Sequence, residues 1–144
     1  MKAWIIAVVA VALLALILFV IPFPVHAQVA TIALEWTSPG DDGNVGTATT
    51  YQMRWSTTKP DTTSAAAMDS WWNAASVVTG LPAPLIAGST QSYAVPGPFT
   101  TGATYYFAMK ACDEVPNCST YSNVASKFLP DTLPPARIID LRTR

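Results

Sequence analysis

Apolar side chains fall on every second position in several separate stretches of this chain. In "TYYFAMKA", residues 104–111, Tyr105, Phe107, Met109 and Ala111 share one face, and Tyr106, Ala108 and Lys110 share the other. "ATIALEW" sets Ile32, Leu34 and Trp36 together, with Thr31, Ala33 and Glu35 opposite. "TYQMRW" groups Tyr51, Met53 and Trp55, and "QSYAV" groups Tyr93 and Val95. A period of two is the pattern of strands with one buried face. "YSNVASKF" reads as a last, less regular strand. Between these runs stand "TSPGDDGNVGT" and "TGLPAPLIAGST", dense in Gly, Pro, Asp and Ser, which are loops.

The piece from Thr57 to Thr90 is less regular. "TTSAAAMDSWW" offers Thr63 or Ser64 as an N-cap before an Ala run, which predicts one or two helical turns. "WNAASVV" predicts a short strand. Trp71 and Trp72 are adjacent, so in a strand they would face opposite sides. One of the two would then be open to a stacking ligand. No long amphipathic helix follows the first 27 residues. The expected class is all-β, a two-sheet sandwich.

The front of the chain is of another kind. Met1 and Lys2 precede an unbroken apolar run from Ala3 to Val20, followed by "IPFPVHA". Val25 and Ala27 fit the small-x-small pattern of a secretory cleavage site, and Pro22 and Pro24 stop the helix before it. Residues 1–27 are therefore read as a secretory signal peptide. The run also approaches the roughly 20 residues that span a bilayer, so an uncleaved signal anchor is the competing reading. Contact with a membrane is expected only in that second case. The expected location is secreted or cell-surface.

Without residues 1–27 the chain is Gln28–Arg144, 117 residues. Lys2 is one of 8 Lys and Arg, so 7 remain against 9 Asp and Glu, a net charge of −2. No basic stripe appears, so nucleic acid is not an expected partner. The one histidine, His26, lies in the signal. A Ser-His-Asp or Cys-His catalytic arrangement is thus ruled out in the remainder, as is a His-ligated zinc site. There is no Gly-rich phosphate loop. No enzyme activity and no cofactor are expected.

"LEWTSPG", "YQMRW" and "GATYYFAMKA" resemble the B, C and F strands of a fibronectin type III domain. The likeness is greater to the form found in bacterial and archaeal secreted proteins. It is carried by "PGDDGNVGTATTYQMRWST", "WNAASVVTGLPAP", "TTGATYYFAMKACDEVPNCS" and "YSNVAS", and covers about residues 30–141. The resemblance implies an immunoglobulin-like sandwich over residues 28–129, beginning at strand B. It implies that Trp36 is the core tryptophan of the first sheet. It also implies that the Tyr105 hydroxyl bonds back to nearby backbone at a tyrosine corner. Core packing is expected of Trp36, Tyr51, Trp55, Tyr93, Tyr105 and Phe107. The implied role is binding, adhesion or spacing at a cell surface, toward a protein or carbohydrate ligand.

Cys112 and Cys118 bracket "DEVPN" at the implied F–G hairpin. They are the only two cysteines, in a chain read as exported, and the feet of a hairpin lie within bridging distance. A disulfide is expected, as an addition to what the family usually carries. The same resemblance puts the B–C and F–G loops at one pole. That would gather Asp41, Asp42 and Asn44 near Asp113, Glu114 and Asn117. Oxygen ligands of this type suit Ca²⁺. Asp, Asn and Gly are equally ordinary turn formers, the spacing matches no EF-hand loop, and no metal is assigned.

The family's domain opens with an A strand paired to B, for which Gln28–Glu35 leaves no room. The stretch "PDTLPPARIIDLRTR", residues 130–144, resembles a Pro-rich linker followed by just such a strand. Ile138 and Leu141 are its expected core-facing residues, with Ile139 competing. Three readings compete: an array continuing past residue 144, a tail folded back on its own domain, or a strand donated to a neighbour. The last would make the protein a structural subunit that self-associates head-to-tail through its C-terminal strand.

Overall fold

The computed structural model describes residues 30–115, 117–132 and 134–143. The expected signal at 1–27 lies outside the described residues. Among those described, no helix is long and apolar enough to cross a membrane.

The described residues form six strands and one helix, in chain order β1 (Ala30–Thr37), β2 (Thr50–Ser56), α1 (Ala65–Ala74), β3 (Ser76–Val77), β4 (Thr90–Phe99), β5 (Ala103–Cys112) and β6 (Ala125–Leu129). They form two antiparallel sheets, one ordered β1-β4 and the other β3-β2-β5-β6. The protein is an all-β, two-sheet sandwich. Each inner face carries the alternating residues of its strands. Ile32 and Val95 from the first sheet meet Met53, Tyr105 and Phe107 from the second, with Val78 beside them.

Phe99, at the end of β4, is the ring that joins the sheets. Its centroid lies 4.7 Å from Tyr105, 5.2 Å from Trp55 and 6.2 Å from Phe107, in edge-on arrangements that aromatic quadrupoles favour. β4 reaches Phe99 through Pro96-Gly97-Pro98, where the register against β1 shifts between Ala30 and Thr31. That irregularity lets the ring turn inward. A Cβ at Gly97 would stand 2.5 Å from the Phe99 ring, so only glycine fits there without a shift. β4 therefore extends beyond "QSYAV", because proline is tolerated at a strand edge or bulge.

α1 carries the helical turns expected of "TTSAAAMDSWW" on to Ala74, and the strand expected in "WNAASVV" is cut back to β3, Ser76–Val77. Ser64 caps the helix, its hydroxyl accepting from the Ala67 N–H at 3.2 Å. Neighbours on a helix are about 100° apart, not 180°, so both indoles can turn toward one sheet. Trp71 is 8% exposed and Trp72 6%. With Met68 and Ala75 they cover the second sheet's outer face over Ala108, beside Tyr106, Tyr121 and Val124. Neither is left as an open stacking surface. The Trp71 indole donates to the Thr58 carbonyl at 2.7 Å, and Arg54 donates to the Trp72 carbonyl at 2.7 Å.

The tail corrects the fold-back expectation. Every described residue from Pro130 to Thr143 is exposed and in no strand. Ile138 is 75% exposed and Leu141 90%, so neither completes the chain's own first sheet. There is also a reason in their spacing: three apart, they cannot share one face of a regular strand.

One buried polar residue ties the sandwich together at its other end. Gln91 of β4 is 7% exposed. Its Oε1 accepts from the Ser38 hydroxyl at 2.6 Å, the Tyr51 hydroxyl at 2.8 Å and the Leu85 N–H at 3.1 Å. Its Nε2 donates to the Ala83 carbonyl at 2.9 Å. Gln91→Leu would strand several of these groups without partners. The expected cost is about 2–4 kcal/mol, read from the urea midpoint. Gln52→Ala on the exposed face should cost less than about 0.5 kcal/mol.

Candidate functional site

The end of the sandwich where β1 and β5 finish is built from three loops. Residues 38–49 follow β1, residues 81–89 precede β4, and Asp113–Val115 with Asn117 and Cys118 lie at the tip of the hairpin after β5. Backbone bonds knit the first two: Ala87 N–H to the Gly46 carbonyl at 3.0 Å, Gly88 N–H to the Ser38 carbonyl at 2.9 Å, and Ser38 N–H to the Ser89 carbonyl at 2.8 Å. Inside the first loop, Asp41 and Asp42 donate to the Val45 carbonyl at 2.9 and 3.2 Å. Gly43 and Gly46 take positive φ of 66° and 80° to close this turn. The third loop joins through its shared hollow with the first, lined by Pro39, Asp41, Ala48, Cys112, Asp113 and Asn117.

Cys112 and Cys118 form a disulfide, their Cα atoms 4.0 Å apart across an antiparallel bridge. It closes the hairpin tip, which is further held by Asp113. The Asp113 Oδ1 accepts from the N–H groups of Val115 at 3.0 Å and Asn117 at 2.8 Å, and its Oδ2 accepts from the Asn117 side-chain amide at 2.9 Å. These bonds, led by the Asn117 side chain, hold its carboxyl below the ordinary carboxylate range.

The acidic residues do meet at this pole. Asp41 is pushed up by desolvation first, and then by Glu114, Asp42 and Asp113. Yet Asp113 spends its oxygens on its own turn, and Asn44 sits exposed within the Asp42–Val45 turn. Among the described residues, no group of three or more His, Cys, Asp or Glu side chains converges as a metal site. Val45 and Val115 stand out from the same loops, 72% and 64% exposed.

The remaining residues singled out in the sequence lie in the body of the sandwich. Tyr51 and Phe107 are buried in it, and Trp55 packs on Phe99 and Tyr105. The Tyr105 hydroxyl accepts from the Thr100 N–H at 2.7 Å and approaches the Thr100 carbonyl at 3.3 Å. The Tyr93 hydroxyl donates to the Thr79 carbonyl at 3.0 Å. Trp36 is half-buried, edge-on to Tyr51 at 5.5 Å, and its buried indole N–H has no acceptor among the described residues. Gln91 was not anticipated, although its place two residues before Tyr93 puts it on the inward face. The cluster on the helix-covered face was missed as well. There Trp72 packs against Tyr121, Arg54 and Lys110, the Lys110 ammonium 3.9 Å from the Tyr121 ring centroid. The Tyr121 hydroxyl donates to Asp69 of α1.

Comparison with protein-family models, curated proteins and solved structures returned no match to this chain.

Two expectations follow from this geometry. Replacing both cysteines by serine frees a short loop, and the chain-entropy relation puts the loss at about 2–3 kcal/mol. Urea unfolding of the double variant against the oxidised protein measures it. Tyr121 is pushed up to about 12, by burial first and then by Asp69. The folded state therefore keeps this proton where the unfolded chain, near pH 10, has begun to lose it. The tyrosine's contribution is complete below pH 10 and is lost as pH rises toward 12. Tyr121→Phe should flatten the decline in melting temperature across that window.

Proposed function

We propose that this chain is an exported, non-enzymatic module of the fibronectin type III type that binds, adheres or spaces at the cell surface. The observation that carries this reading is the loop pole. Three loops from both sheets are brought together, one stapled by a disulfide. They present exposed Val45 and Val115 beside Asp41, Asp42 and Glu114. An apolar and acidic surface on a pre-ordered frame suits capture of a protein or carbohydrate ligand, because little ordering entropy remains to oppose binding. It does not suit nucleic acid, whose phosphates such carboxylates repel.

The type assignment draws support from the strand pairing. β2 pairs with β5 and β5 with β6, while β1 pairs with β4 across the sandwich. This is the arrangement in which "YQMRW", "GATYYFAMKA" and "LEWTSPG" would serve as C, F and B. Export is supported by the Cys112–Cys118 disulfide, which suits an oxidising, extracytoplasmic compartment. The absence of histidine from residues 28–144 supports the non-enzymatic reading. A second role, as a structural subunit, is favoured by the open edge of β1 and is developed below.

The test is binding of the labelled full chain to intact cells and to a glycan array. Wild type is compared with a Val45→Asp/Val115→Asp variant. Surface binding that weakens at least tenfold in the variant, at unchanged melting temperature, is the expected result. No binding, or equal binding by both, overturns the loop pole as the binding surface.

A further inference from the structure

Among the described residues the first sheet has two strands, so each strand has an edge that none of them pairs with. The two edges differ. β4 carries Pro96 and Pro98, which lack the N–H a new partner would need. β1, "ATIALEWT", has no proline and is uncharged except for Glu35, so it is the edge left able to pair. Beside it the sandwich is open. A groove there is lined by Leu34, Trp36, Met53, Phe107, Met109 and Ala125, mostly apolar, and reaches from β1 to the second sheet. Trp36 lines this groove with an indole N–H that is buried and has no acceptor among the described residues. A donor in that state costs free energy until an acceptor is supplied.

The same chain carries a segment of matching chemistry. Ile138, Ile139 and Leu141 are 75%, 82% and 90% exposed. In an extended strand Ile139 and Leu141 share a face, while Ile138 and Asp140 share the other. This pairing of faces replaces Ile138 and Leu141 as the inward set. Arg137 and Arg142 bracket the run, and the loop that follows β1 belongs to the acidic pole of Asp41, Asp42 and Glu114.

We infer that residues 137–142 of one copy add to the β1 edge of a second copy as an antiparallel strand. Ile139 would enter the groove, Leu141 would extend the apolar face beside Ile32, and the copies would assemble head-to-tail. Chain direction selects the neighbour. β1 begins opposite Phe99, and β6 ends opposite Ala103, across the Thr100–Gly102 turn. Leu129 thus leaves at the start of β1, whereas an antiparallel partner must enter at its end, near Thr37. To reach that point on its own domain, the linker would have to reverse and run back the length of β1. Pro134 and Pro135 hold it extended instead. A neighbour stacked end to end offers Thr37 directly ahead.

Register is constrained too. Ile139 opposite Leu34 sets Leu141 against Ile32 and Arg137 over the Trp36 indole on the inward face, and Ile138 against Glu35 and Asp140 against Ala33 on the outward one. Sliding by two, with Ile139 opposite Trp36, places Asp140 directly against Glu35, a like-charge pair that disfavours it. The assembly is heterologous and does not close by itself, so it can propagate. It deepens the spacing role proposed above by naming one partner. Its failure would leave ligand binding at the loop pole standing.

The experiment uses the full chain throughout. Light scattering after size exclusion, over a hundredfold range of concentration, should show a mass that grows with concentration. Ile139→Asp/Leu141→Asp should weaken association at least tenfold without moving the melting temperature of the dilute protein. Mixing one copy carrying Glu35→Cys with another carrying Ile138→Cys should give a cross-linked dimer, which by construction forms between molecules. A monomer at every concentration overturns the inference. So does assembly that persists in the aspartate variant, because another surface, or the residues before β1, would then be responsible. A lowered melting temperature of the dilute variant also overturns it, since the tail would then be docked on its own domain.

Discussion

A two-stranded ribbon is at best marginally stable by itself in water, and β1-β4 is such a ribbon. It holds its place because its inner face is spent against a second, larger sheet. Ile32 and Val95 supply burial, but burial is non-directional and does not align two sheets. Alignment comes from two contacts at opposite ends of β4. Phe99 enters between Trp55 and Tyr105 at one end, and Gln91 takes the Tyr51 and Ser38 hydroxyls at the other. The first has the edge geometry of aromatic pairs, the second the geometry of a buried amide. The loops of the candidate site start beyond Gln91, so their placement depends on that alignment. Leu85 and Ala83 bond to the same amide, which links the 81–89 loop to the core without a strand of its own.

The second sheet is reinforced from outside. α1 lies over the outward residues of β5, and Ala108 gives it room to approach. Tyr106 and Lys110 flank that contact, so both faces of β5 are covered, which its alternation alone would not indicate. After the hairpin tip the chain returns along β5 through serines before the β6 ladder begins. The Ser119 and Ser122 hydroxyls accept from the Ala111 and Met109 N–H groups at 3.2 and 3.0 Å. Their own N–H groups donate to the same residues' carbonyls. Side-chain oxygens thus stand in for ladder carbonyls over this stretch, and the regular strand starts only at Ala125.

What the sequence made legible was whatever depends on a period of two. The strands around Leu34, Met53 and Phe107, the loops between them and the paired sheets follow from alternation and turn residues. The capped helix start at Ser64 was also readable. What escaped was decided by contacts distant in the chain. Trp71 and Trp72 stood where a helical and an extended reading met, because nothing local says that a sheet 36 residues away (the separation of Trp72 from Ala108) will receive both. Gln91 is polar at an inward position, and only the fold discloses the three donors that make this acceptable. The acidic pole shows the converse. Asp41 and Asp113 line one hollow, but Asp113 is committed to its own hairpin.

These features divide the molecule into a stiff half and an unfinished one. The second sheet has four strands, a helix over its outer face and a disulfide at its tip. Among the described residues the first sheet has two strands, and beside its open edge lies a groove lined in part by Trp36, whose buried indole N–H has no acceptor there. A protein that needed only to present loops would gain from closing that edge, since an open strand invites unwanted pairing. Tolerating it is costly unless a strand arrives. The proline guard on β4 makes the contrast sharper: one edge is defended by residues that cannot pair, and the other is not. Whatever completes β1 must supply an extended backbone and apolar side chains on one face. Those are requirements on an interface.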